Sequence, residues 1–169
     1  MAGLRARVVI DDCRVAIETL DECEFGPEWR RSWVTVVALP RAVGHVLQKV
    51  DARTDARMAE VIRQQYESLK RSKPEPAIYW AFIEGERNNV LKEYQFSGRH
   101  ASSTTSASSM SLAVGNGQIV TVTRDPPGEL HMHVFNEGPF VGRHQVAVAK
   151  AALAWWESYL AEVETRLRE

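Results

Sequence analysis

Apolar side chains recur every three to four residues through the first half of the chain, the spacing of an amphipathic helix. Val9, Cys13, Ala16, Ile17 and Leu20 share one stripe, while Asp11, Asp12, Arg14, Glu18 and Asp21 face away. Gly26-Pro27 ends this segment, and Pro27 suits the first turn of the next helix, where a missing N–H is no loss. That helix carries Trp29, Trp33, Val36, Val37, Val43, Val46 and Leu47, and Pro40 within it predicts a kink or two shorter helices. Asp51 and Thr54 offer caps to a third helix through Met58, Val61, Ile62, Tyr66 and Leu69. Ser72-Lys73-Pro74-Glu75-Pro76 breaks the pattern, and a fourth helix then runs from about Ala77 to Phe96, with Gly98 as its stop.

Beyond Gly98 the period changes. Eight of the ten residues from Ser102 to Ser111 are Ser or Thr, so 97–111 reads as a mobile loop. Residues 112–135 read as short antiparallel strands, with Gly115-Asn116-Gly117 as a hairpin turn. Leu130, Met132 and Val134 alternate there with His131, His133 and Phe135. Helical spacing returns over 143–167 through Val146, Ala149, Leu153, Trp156, Tyr159, Leu160, Val163 and Leu167. The prediction is a mainly α (α+β) single domain over 1–169. It is a four- to five-helix bundle with a small antiparallel hairpin or three-stranded sheet before the last helix.

Composition trims the possible partners. The 169 residues carry a formal net charge of -1 and are 44% hydrophobic, enough for one core and against disorder throughout. No apolar run approaches the ~20 residues of a membrane span, so no membrane partner is expected. Acidic residues precede any long apolar run, which argues against a secretory signal. Residues 1–85 hold 13 basic and 13 acidic side chains, and 86–169 hold 8 and 9. Tight binding to bulk DNA is thereby disfavoured, whereas a small RNA-contacting site is compatible with the short local clusters. Cys13 and Cys23 lie about ten residues apart on a helix, roughly 15 Å and beyond disulfide reach. They read as reduced thiols of a cytoplasmic protein.

The fourth helix carries the strongest chemical signal. Stepping from Ile83 by helical intervals leads to Arg87, then Val90, Leu91 and Tyr94, which places Arg87 on an otherwise apolar face. A guanidinium is charged at any working pH and costly to bury alone. Arg87 must therefore meet a carboxylate, reach water or await an anionic ligand. Asn88 and Lys92 are one turn apart and can converge on one oxygen-rich group.

The segment Arg87-Asn88-Asn89-Val90-Leu91-Lys92-Glu93-Tyr94 resembles the RNxxxHxY signature of HEPN domains. These are small helical bundles of bacterial toxins, abortive-infection proteins and nucleotide-binding modules. Arg87, Asn88 and Tyr94 match the signature, and Lys92 stands where the family has histidine. In active members the resemblance implies metal-independent RNA cleavage, without a cofactor, in a cleft between two protomers of a homodimer. The arginine would stabilise the phosphorane charge and the histidine would transfer protons. Histidine, with a reference pKa near ~6.5, both takes and gives a proton at neutral pH, whereas lysine, near ~10.4, is a poor general base. The resemblance thus implies an RNA-binding or RNA-cleaving toxin- or defence-type module, with catalysis degenerate if lysine cannot replace histidine.

Two other readings compete with it. His131, His133 and His144, with Glu137 nearby, form a metal-ligand set of the kind that leaves one position open for chemistry. The opposing reading turns Leu130, Met132 and Val134 to the core and both strand histidines to water. A non-enzymatic interaction module would bind itself or a protein partner through exposed aromatics and the final helix. Trp155 is the expected exposed ring, with Trp156 and Tyr159 in the core.

Overall fold

A computed structural model describes residues 3–23, 26–104, 109–113, 119–123 and 129–169, and the side chains outside 100–131 within that set. It is mainly α. Helix α1 (Arg5–Glu22) buries Ala6, Ile10, Cys13, Ile17 and Leu20, the predicted stripe with Val9 and Ala16 at its flanks. Its first turn has no cap of its own. Asp51 reaches back from a 3-10 turn (Asp51–Arg53) and accepts hydrogen bonds from the N–H groups of Arg5 (2.8 Å) and Ala6 (3.0 Å). Asp51 therefore caps α1 and not the third helix, whose start is capped by Asp55 accepting from Met58 N at 2.7 Å.

Helix α2 (Pro27–Lys49) runs without a break through Pro40, so the predicted division into two shorter helices does not occur. Its inner face holds Trp29, Trp33, Val36, Val37, Val43 and Leu47. Gly44 lets α2 approach the last helix closely, since a Cβ there would sit 3.1 Å from the Trp156 ring. Helix α3 (Ala56–Arg71) is the most polar, burying Ile62, Gln65 and Leu69 and ending on Lys70 and Arg71, which suit the negative end of its dipole.

Helix α4 (Gln145–Arg168) lies along α1 in the opposite direction. Three ion pairs fix this arrangement: Asp21 with Lys150 (2.6 Å), Arg14 with Glu157 (2.7 Å) and Arg7 with Glu164. The last is bidentate, at 3.0 and 2.9 Å. On each helix these positions are seven residues apart, the repeat with which two nearly aligned helices keep one seam in contact. Small side chains, Ala149 and Ala152, and larger ones, Trp156, Leu160 and Val163, fill the buried face of α4.

Among the described residues, four strands lie between the helical halves. Strand β1 (Gly98–Thr104) pairs antiparallel with β4 (Glu129–Phe135), from Gly98 opposite Phe135 to Thr104 opposite Glu129. Strand β2 (Ser109–Ala113) pairs with β3 (Ile119–Thr123) as the predicted hairpin, nested in sequence inside the first pair. The expected loop at 97–111 is thus largely strand, and of the expected hairpin or three-stranded sheet it is the hairpin that forms, as one of two antiparallel pairs among the described residues. A Ser/Thr tract has little to bury, but an antiparallel neighbour pairs its backbone groups, which decides the matter. Its residues 105–108, and the predicted Gly115-Asn116-Gly117 turn, lie outside the described residues. At its root the β1–β4 pair meets the bundle: a Cβ on Gly98 would overlap the buried Gln145 amide, and Val134 bridges to His144.

An aromatic group joins these parts. Trp33, Phe82, Phe135 and Phe140 meet with ring centroids about 6 Å apart, drawn from α2, the fourth helical region, β4 and a short 3-10 turn (Gly138–Phe140). Both cysteines are free, and burial pushes the Cys13 thiol up to about 12. Among the described residues no helix is long and apolar enough to cross a membrane.

Candidate functional site

The fourth helical region departs from the α-helix expected over 77–96. It is two π-helical segments, Ile78–Glu86 and Asn89–Glu93, joined by Arg87 and Asn88 in α-conformation. Tyr94 closes it in the left-handed region, at φ 53°. Long π-helix is rare, and its wider turn changes which residues face inward. Two buried lines run along it, each with four-residue steps: Phe82, Glu86 and Val90, and Tyr79 and Ile83, the second of which stops one step short of Arg87. Arg87 therefore does not stand on the inner ridge: Glu86 does, and Arg87 is half-buried beside it.

Arg87 Nη1 donates to Asn88 Oδ1 at 2.9 Å, so the structure brings these two signature residues together. Among the described residues no carboxylate pairs with the Arg87 guanidinium. Its charge acts on His45 of α2 together with those of Arg41 and Lys49. Arg41, His45 and Lys49 follow one another at four-residue intervals along α2, on one face. Desolvation, then the charges of Arg41, Arg87 and Lys49, hold the His45 pKa below its ordinary value. Arg41 Nη1 is steadied by donating to the Tyr79 hydroxyl at 3.0 Å, and burial pushes the Tyr79 pKa up to about 12. Lys92 and Tyr94 are exposed, and among the described residues neither hydrogen-bonds to the Arg87–Asn88 pair. Tyr94 is 63% exposed and, among the described residues, its ring meets only that of Phe96, at 5.1 Å.

A second locus was not anticipated from sequence. Glu86 is 3% exposed and its Oε1 accepts long hydrogen bonds from Trp33 Nε1 (3.4 Å) and Ser97 N (3.3 Å). Asn89 Nδ2 donates to Ser97 Oγ at 3.5 Å. Desolvation holds the Glu86 pKa above the ordinary carboxyl range against the hydrogen bonds from Ser97 and Trp33, and the nearby charge of Glu137 adds to the rise. Glu86, Asn89, Ser97 and Glu137 line a cavity of about 260 Å³ that Phe135, Pro139 and Phe140 complete on the apolar side. The sequence signal was present in one respect, two carboxylates, Glu84 and Glu86, directly after the apolar run Ile78-Tyr79-Trp80-Ala81-Phe82-Ile83. The Glu86 partners Trp33 and Ser97 are remote in sequence.

The histidines do not assemble in the same way. His133 stacks on Trp29, with ring centroids 3.3 Å apart, and so is not turned to water. His144 is half-buried at the N-cap of α4, with its pKa lowered by burial first, by Lys150 further, and against the pull of Asp21. The His131 side chain lies outside the described residues. Among the described residues no group of three metal-type ligands is present. Trp155, expected exposed, is half-buried against Tyr79, Trp156 and Tyr159.

What the fold and these loci define is a class, a mainly α domain with a positively charged helical face and a separate acidic cavity. No family model, curated protein or solved structure matches the chain.

Proposed function

We propose that the face made by α2 and the π-helical segments binds the phosphate backbone of single-stranded RNA. The observation that carries this reading is Arg87, half-buried, held by Asn88, without a carboxylate partner among the described residues, and acting together with Arg41 and Lys49 on His45. Cations gathered at one place repel one another, so the arrangement costs free energy unless an anion joins it. A phosphate diester supplies that anion repeatedly, at a spacing that a four-residue row on a helix can follow. The exposed Tyr94 ring offers a base something to stack on. The resemblance of residues 87–94 to the HEPN signature points to the same ligand.

Binding is proposed without cleavage. At the position of the family's acid–base histidine stands Lys92, an exposed ammonium that contributes charge. The homodimer that the resemblance implies would bring two such faces together, but phosphate binding needs only one.

Fluorescence anisotropy with an end-labelled single-stranded RNA tests the reading. Arg87→Ala is expected to weaken binding about tenfold or more, and Arg41→Ala with Lys49→Ala similarly. Each lost phosphate contact should reduce the salt-dependence slope by ~0.7. Arg166→Ala, which removes the exposed partner of Glu162 on α4, should change neither. The RNA should be recovered intact after incubation with chelator. Equal affinity of wild type and Arg87→Ala would overturn the proposal, and chelator-resistant degradation abolished by Arg87→Ala would replace binding with cleavage.

A further inference from the structure

None of Arg41, His45, Lys49 and Arg87 lines the acidic cavity at the root of the β1–β4 pair. Glu86 forms its inner wall and Glu137 its exposed rim. Among the described residues neither carboxyl has a cationic partner. The hydrogen bonds from Trp33 Nε1 and Ser97 N both meet Oε1 of Glu86. Two carboxyls directed at one cavity repel each other when both are ionised, and a bound cation removes that repulsion.

The other wall of the cavity narrows the ligand. Phe135 and Phe140, tilted to each other and each nearly perpendicular to Phe82, present apolar surface beside the carboxyls. The Arg143 guanidinium already stands over the Phe140 ring, 5.9 Å from its centroid, although Arg143 does not line the cavity. That ring therefore holds one planar cation in the folded protein. A volume of about 260 Å³ exceeds what a bare metal ion fills and suits a small organic molecule.

We propose that this cavity binds a small organic cation with a planar N–H-donating head, of amidinium or guanidinium type. The head lies between Glu86 and Glu137, and the body lies against Phe135 and Phe140. Parallel N–H donors match the two oxygens of a carboxylate, which a spherical ammonium or metal ion does not exploit. Asn89 and Ser97, already joined to each other at 3.5 Å, supply the polar margin.

Isothermal titration and thermal unfolding with benzamidine and methylguanidine as probes test this. Both are expected to bind and to raise Tm, and Glu86→Gln and Glu137→Gln should each weaken binding about tenfold or more. Glu86→Gln keeps an Oε1 that can accept from Trp33 and Ser97, and Glu137 is an exposed rim residue, so at least one variant reports on a folded protein. Neutral benzamide and tetramethylammonium, which lack the charge and the N–H donors respectively, should not bind. Benzamide binding as well as benzamidine, indifference of benzamidine affinity to both substitutions, or a Glu86-dependent Tm rise with zinc or calcium alone would each overturn the proposal. None of these outcomes bears on RNA binding, which uses other side chains.

Discussion

Glu86 and Arg87 are adjacent in sequence and opposite in environment. The carboxyl is buried under Trp33 and Ser97, while the guanidinium is half-buried and acts with Arg41 and Lys49 on His45. Folding raises the Glu86 pKa above its unfolded value, so the native state holds the proton more tightly. The resulting stability is complete below the unfolded pKa and is lost as pH rises through the folded one. The urea midpoint of the wild type should therefore decline with rising pH across that window, by an amount set by the pKa difference. Glu86→Gln should remove the decline and leave the protein more stable than wild type at the upper end. A Glu86→Gln profile parallel to that of the wild type would show that this carboxyl does not experience the burial described.

At the scale of elements, the antiparallel α1–α4 pair shows how charge can set register on an apolar seam. Arg7–Glu164 is the least exposed of its three ion pairs and the only bidentate one. Its reversal by Arg7→Glu is expected to cost about 1 kcal/mol of stability at low salt, and the double variant Arg7→Glu/Glu164→Arg should recover most of it. A double-mutant cycle in chemical denaturation measures this, and a coupling energy of zero would remove the pair from the account. The helices were legible because their stripes are long and regular: α1 buries four of the residues between 9 and 20 that its spacing selects or borders. The fourth helical region was misphased because stepping by 3.6 residues assumes i→i+4 hydrogen bonding, and nothing in Ile83 or Arg87 announces a π-helical turn. Residues 98–104 were misread because strand formation there depends on β4, about thirty residues away in sequence, and not on the Ser/Thr side chains.

For the molecule as a whole, a mainly α fold with a short β insertion before the last helix was legible, and so was the Arg87-Asn88 pair as a place to look. What depended on tertiary contact was hidden: Asp51 capping α1, Trp33 and Ser97 over Glu86, and the convergence of α2 on Arg87. The row Arg41, His45, Lys49 has plain four-residue spacing, but only the packing of α2 against the π-helical segments gives it meaning. An anion on this face favours the imidazolium form of His45, so binding should raise the lowered His45 pKa. Affinity for RNA should accordingly increase as pH falls between the bound and free values. The most direct test is an NMR titration of the protein with a short single-stranded RNA, following the imidazole of His45 and the side chains of Arg41, Lys49, Arg87 and Asn88. The account predicts shifts concentrated on these five residues together with an upward move of the His45 pKa. Shifts confined to α3 or to the outer face of α4, with His45 titrating as before, would contradict it.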